Sequence, residues 1–168
     1  SRFKARRRFS RKYMSRVTSI LVGCGAIARE RLRALKTIPE AHVAAVCDLS
    51  PAKAESTAER FGILRWGTNL DELIAEYRPK LIHITTPPSS HVPIATTCLR
   101  QRVNVFCEKP IAPSHAEFKK LRDLADHNGC FIIENQNLRY HSSVQRIQQS
   151  VRTGELGEVL SVNIDFSL

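Results

Sequence analysis

The sequence predicts an α/β protein built on a doubly wound parallel sheet, and three observations carry that prediction. Six short apolar segments alternate with five helical ones across residues 17 to 134. A glycine-rich turn follows the first apolar segment, and the unusual polar residues gather where the apolar segments end. Alternation of this kind calls for right-handed β-α-β crossovers and a parallel sheet covered on both faces.

Each element has a local reason. Val17 to Val22 is a continuous apolar run, read as a buried strand. Gly23-Cys24-Gly25-Ala26-Ile27-Ala28 then forces a turn, and Ile27 to Leu35 has helical spacing with Ala28, Leu32 and Leu35 on one face. Ala41 to Cys47 is a second strand ended by Asp48. Ser50 as N-cap and Pro51 at the first helical position open a helix that stops at Gly62. A short strand follows near Leu64 to Trp66, and Thr68 or Asn69 caps the helix Leu70 to Tyr77. Leu81 to Thr85 is the fourth strand, and Thr86-Pro87-Pro88-Ser89-Ser90-His91 is a stiff polar loop at its end. Val92 to Gln101 is helical, and Val103 to Cys107 is the fifth strand, running into Glu108-Lys109-Pro110. Ser114-His115-Ala116-Glu117 is a capping box for a helix ending near His127. Cys130 to Glu134 is the sixth strand.

The natural strand order is 3-2-1-4-5-6, and ligands of such sheets bind outside the carboxyl ends, at the switch between the first and fourth strands. Beyond the sixth strand the pattern changes. Residues 135 to 140 are polar and irregular, Val144 to Val151 reads as a helix, and Val159 to Leu168 alternates as an antiparallel strand would. A half-buried strand with no partner in sequence suggests the opening of a second α/β domain, truncated here. The expected organisation is a leader over 1–15, the doubly wound domain over 16–137 and the start of a second domain over 138–168.

Composition narrows the classes. The net charge is +10, but eight of the 26 lysines and arginines fall within residues 1 to 16. The remainder carries 18 basic against 16 acidic residues, so no specific nucleic-acid binding is expected. The leader reads as an extension before Met14. No apolar run approaches the roughly 18 to 20 residues of a membrane span. The five cysteines are odd in number and never spaced C-x-x-C, which argues against disulfides or zinc and for a cytoplasmic protein. No histidine pair has metal-site spacing, and no H-E-x-x-H, G-x-S-x-G or P-loop lysine motif occurs, so no metal is expected. His42 and His83 fall in strands, where packing is the simple reading.

Strand, G-x-G-x-x-A turn and helix form the arrangement that binds a dinucleotide pyrophosphate, although a tight strand–helix turn alone looks similar. Gly23 allows the turn, Gly25 leaves room for phosphate, and the helix start at Ala26 and Ile27 presents N–H groups to the anion. Asp48 lies 20 residues beyond Ala28, where a carboxylate accepts from ribose hydroxyls or simply closes a turn. Its charge opposes a 2′-phosphate and favours NAD over NADP, and Lys53 weakens that exclusion. Thr86, Pro87 and Glu108 sit at the same ends, and His91 either touches cofactor or caps a helix. Lys109, between a buried strand and Pro110, is placed to manage a substrate proton.

These residues, with Thr85-Thr86-Pro87-Pro88-Ser89-Ser90-His91, Glu108-Lys109-Pro110 and Arg139-Tyr140 in order, resemble the glucose–fructose oxidoreductase/inositol dehydrogenase (Gfo/Idh/MocA) family. The resemblance runs from about Arg16 to the chain end. It implies a Rossmann domain followed by an α/β domain on a large, mostly antiparallel sheet. It also implies NAD(P)-dependent oxidation or reduction of a sugar, cyclitol or related alcohol, with Lys109 near the nicotinamide, and a homo-oligomer. The second domain of such proteins usually adds a histidine, so these 168 residues alone are expected to be inactive. A non-catalytic dinucleotide sensor or scaffold of the same fold is the alternative, and the retained Lys109 favours the enzyme.

Overall fold

A computed structural model describes residues 16–165. The leader and the last three residues lie outside the described residues, so the expectations placed on residues 1–15 fall there too. By compactness the chain divides after Glu134.

The first unit holds a six-stranded parallel sheet in the order β3-β2-β1-β4-β5-β6. Its strands are β1 (Val17–Val22), β2 (Ala41–Cys47), β3 (Arg65–Gly67), β4 (Leu81–Ile84), β5 (Asn104–Cys107) and β6 (Ile132–Glu134). The connecting helices are α1 (Ala26–Lys36), α2 (Pro51–Phe61), α3 (Leu70–Tyr77), α4 (His91–Arg100) and α5 (His115–His127). This is the doubly wound Rossmann topology expected from the sequence.

The period-2 alternation of side chains explains why both faces are dry. Leu21 and Val46 pack with Ala28 and Leu32 of α1 and with Ala54, Ala58 and Phe61 of α2. Ile20, Val22, Ile82, Ile84, Val105 and Cys107 point the other way, against Leu73, Ala95, Leu99 and Leu121 of α3, α4 and α5. Each large aliphatic side chain so enclosed contributes about 1.5–3 kcal/mol.

Several boundaries move for local reasons. β3 starts at Arg65, because Leu64 is 99% exposed. β5 starts at Asn104, since Val103 N–H donates to Cys98 O and closes α4. β6 starts at Ile132, since Cys130 N–H is drawn back to Ala125 O. His91 is the first residue of α4 and not part of the preceding loop, where only Pro88–Ser90 forms a 3-10 turn. Ser50 holds the N-cap position, but its side chain makes no capping bond. Asn69 caps α3 by accepting from Asp71 and Glu72 N–H, and Ser114 caps α5 by accepting from Glu117 N–H. His42 is exposed near the start of β2, contrary to the packing reading, whereas His83 is buried on β4.

The second unit begins with a 3-10 turn over Asn137–Tyr140 and continues as α6 (Ser142–Arg152). Thr153 Oγ1 donates to Gln149 O, and Ser150 Oγ donates to Glu155 at 2.7 Å, which finish the helix. The strand expected from Val159 is not formed over 159–165. Leu160, Val162 and Ile164 are 88%, 70% and 82% exposed. Alternation by itself does not make a strand: the backbone groups need a pairing neighbour, and none of the described residues supplies one.

Candidate dinucleotide-binding site

The turn after β1 is built around Gly23. Its φ is +90°, a conformation L side chains rarely adopt, and its N–H donates to Cys47 O at 2.8 Å. A Cβ there would lie 2.8 Å from Thr86 N and 2.9 Å from Thr85 C, so the β1 turn and the β4 loop touch backbone to backbone. Thr85 fixes that contact: its Oγ1 donates to Val22 O and Gly23 O at 3.0 and 2.7 Å. Gly25 differs. Its φ is −81°, and a Cβ there would meet nothing within 4 Å.

That open space is part of a cavity of about 700 Å³ between the carboxyl ends of β1, β2 and β4. Gly23, Gly25, Ala26, Ile27, Asp48, Thr86 and Pro87 all line it, so seven of the sequence-predicted residues meet at one place. Leu49, Thr68, Leu70 and Ile94 extend its wall. α1 begins here with no side-chain cap and no acidic residue in its first turn, which suits an anionic ligand at its positive end. The vacant direction at Gly25 is what a pyrophosphate pressed against the main chain requires, so these residues fit a dinucleotide.

Asp48 is anchored by main-chain donors. Its Oδ2 accepts from Cys24 N–H at 2.7 Å and its Oδ1 from Ser50 N–H at 2.9 Å. The Ser50 amide thus serves Asp48 while Pro51 starts α2. Two such bonds leave a carboxylate about half of its acceptor directions. The turn-closing reading of Asp48 therefore holds, and capacity for further hydrogen bonds remains.

The other three predicted residues do not line the cavity. His91 is fully buried, with Nε2 2.8 Å from Thr86 O and Nδ1 2.8 Å from Pro110 O. An imidazole N–H donates to a carbonyl oxygen, and each ring nitrogen of His91 has one within hydrogen-bond distance. His91 thus ties the loop after β4 to the loop after β5. Glu108 is turned toward α1, where its Oε1 meets Arg31 Nη2 at 2.5 Å with both side chains 13% exposed. Lys109 is exposed at the end of β5, and its bond to Pro110 is cis.

Sequence reasoning missed Arg31. Besides Glu108 it covers the Phe106 ring, its guanidinium carbon 4.3 Å from the centroid. Phe106 in turn lies 5.8 Å from the His83 ring. Burial, and then the Arg31 charge, push the His83 imidazole down to about 4, and its Nδ1 has no hydrogen-bond partner. Arg31 sits in a helix rich in charged residues, so nothing in its local pattern sets it apart from a solvated arginine.

Comparison with known proteins agrees with this geometry. The sequence model of the Gfo/Idh/MocA family, described as an oxidoreductase family with an NAD-binding Rossmann fold, matches residues 17–136. The chain is 26% identical over 145 residues to D-apiose dehydrogenase of Rhizobium rhizogenes, covering 86% of this chain and 42% of that protein. It is 32% identical over 146 residues to glucose-6-phosphate 3-dehydrogenase of Bacillus subtilis, covering 87% of this chain and 41% of the other. Among solved structures, an oxidoreductase from Agrobacterium radiobacter in complex with NAD+, L-tartaric acid and magnesium superposes with a TM-score of 0.81 at 25% identity. That match covers 86% of this chain and 42% of the other. GenD2 from gentamicin A biosynthesis, in complex with NAD, gives 0.80 at 26% identity, covering 85% and 41%. The chain therefore spans about two fifths of the length of these relatives. With its glycine turn, strand order and matched residues, the chain belongs to the Gfo/Idh/MocA oxidoreductase family, and residues 17–136 are its NAD-binding Rossmann domain.

Proposed function

We propose that this chain is the cofactor-binding part of an NAD(P)-dependent oxidoreductase acting on a sugar, cyclitol or related alcohol in the cytoplasm. The observation that carries the reading is the cavity at the β1–β4 switch with unobstructed space at Gly25. Gly25, Ala26 and Ile27 would hold the pyrophosphate through main-chain N–H groups. Asp48, already tied to Cys24 and Ser50, would accept from ribose hydroxyls with its remaining lone pairs. When bound, the nicotinamide supplies or accepts the hydride. Lys109 Nζ would donate to the substrate oxygen and carry the proton that leaves or joins it. His91 and the Arg31–Glu108 pair would set where the Lys109 loop stands. The buried free cysteines support a reducing compartment.

The test is NADH binding by Gly25→Val, followed by fluorescence titration. The side chain enters open space in the protein, so the fold survives while NADH affinity collapses. Unchanged affinity would remove the turn from the site. In a preparation that turns over such a substrate, Lys109→Ala is expected to lower the rate about 10²- to 10⁴-fold with NAD affinity nearly unchanged. Full activity of that variant would take the lysine out of the mechanism and favour a dinucleotide sensor.

A further inference from the structure

Lys109 follows a carboxylate directly in sequence and is not paired with it. Among the described residues the ion pairs are Arg31–Glu108, Arg65–Glu76, Lys119–Asp123 and Arg122–Asp123, so Arg31 holds Glu108 and Lys109 is in none of them. Consecutive Cα atoms are about 3.8 Å apart, so a released Glu108 carboxylate would have the Lys109 ammonium within reach. Strand and helix geometry keep the two apart.

The β5 ladder continues through Glu108, whose N–H donates to Ile84 O at 2.9 Å. Alternation along the strand turns Phe106 and Glu108 to the α1 side, while Cys107 enters the core on the other face. On α1, Arg31 follows the buried Ala28 by three residues and precedes the buried Leu32, so it leaves the helix at the edge of the packed stripe. Its guanidinium lies over the Phe106 ring and meets Glu108 Oε1 at 2.5 Å, with both charged side chains only 13% exposed. A flat guanidinium can stack and donate in its own plane at once, which an ammonium cannot. Lys109, by contrast, is exposed.

We propose that Arg31 is a positioning residue for Lys109: by holding the Glu108 carboxylate on the α1 side, it keeps the Lys109 amine unpaired and free to meet a substrate oxygen. The inference rests on the role proposed above for Lys109 and names the side chain that serves it. A carboxylate tied to Lys109 would occupy the N–H donors that a substrate oxygen needs and would hold back the proton that has to move. Arg31 takes up that carboxylate without touching the lysine.

The experiment reads the Lys109 amine in the whole chain, by competitive acetylation at fixed pH and low salt followed by peptide mass spectrometry. Exposed Lys80, which is in no ion pair among the described residues, is the internal reference. In Arg31→Met the side chain still covers Phe106 while Glu108 is released. Lys109 is then expected to acetylate about two- to fivefold more slowly, the strength of an exposed ion pair, and added salt should return most of the rate. Arg31→Gln, a second variant without the charge, should act in the same direction. Glu108→Gln should leave Lys109 unchanged when Arg31 is present and restore the parent rate when Arg31 is replaced. An arginine that only braced the strand end would give the reverse, because loosening exposes Lys109 and speeds its labelling. A rate unmoved or raised in both Arg31 variants, or a slowing that Glu108→Gln does not correct, overturns the proposal. The labelling uses neither cofactor nor substrate, so that outcome leaves the proposed function standing. Full activity of Lys109→Ala removes the lysine from the reaction, and the role of Arg31 with it.

Discussion

On the β2 side of the cavity, two main-chain N–H groups converge on one carboxylate, Asp48, across 24 and 2 residues of sequence. On the β4–β5 side, side chains do the holding: Arg31 reaches Glu108 across 77 residues, and His91 bridges two loops through its ring. The first arrangement depends on backbone geometry and tolerates many neighbours. The second depends on individual side chains, so single substitutions there should be felt over longer distances.

The sharpest way to break the comparison is at the two glycines of the β1 turn. Gly23→Ala combines a positive φ with backbone contacts under 3 Å, so a loss of about 3–5 kcal/mol is expected from the urea midpoint. Gly25→Ala, with nothing within 4 Å and φ of −81°, should change stability by less than about 1 kcal/mol. Equal losses at both positions would show that the turn is not held against the β4 loop.

His83 tests the side-chain half through pH. Its folded value, about 4, is below the ordinary 6.5. Between those values the unfolded chain binds a proton that the native chain refuses. Stability from this group is therefore complete above pH 6.5 and lost as pH falls toward 4, by about 3–4 kcal/mol in all at roughly 1.4 kcal/mol per unit. Urea melts of His83→Phe against the parent should show a shallower slope in that window. An unchanged slope would mean His83 does not titrate as a buried neutral ring.

A double-mutant cycle at Arg31→Met and Glu108→Gln should give a coupling of about 1–2 kcal/mol, reduced from a fully buried pair because both side chains keep some solvent. Additive effects would reduce the pair to two independent contacts. The smallest effect is at Asp48. Asp48→Ser should lower affinity for both nucleotides by loosening Cys24 and Ser50, and should move their ratio toward NADPH by about tenfold or less. A ratio that stays put would leave Asp48 as a turn residue only.

How much of this was readable in the chain follows the same division. The helices Leu70–Tyr77 and the strand Ala41–Cys47 were legible to the residue, because caps, prolines and apolar runs are local signals. The cavity was legible through Gly23, Gly25 and Asp48, whose spacing is the geometry of the turn. Arg31 was not, because a helix surface arginine and one laid over Phe106 have the same sequence neighbourhood. His91 reads from the sequence as a cofactor contact or a helix cap; its ring faces Thr86 O and Pro110 O, and neither partner can be inferred from spacing. The strand expected after Gly157 shows the opposite error, a clean local pattern without the neighbour that would make it structure.

The thiols of this domain double as clocks. Burial raises Cys24 and Cys47 to about 11 and Cys98 and Cys107 to about 12, so at neutral pH all four are almost wholly protonated and poor nucleophiles. Cys130 is only partly covered. An alkylating reagent should therefore mark Cys130 first and the others only as the sheet opens. Cys24, whose N–H is held by Asp48, would time the opening of the nucleotide turn itself, and a bound dinucleotide should slow that one modification more than the modification of Cys98 behind the opposite face of the sheet.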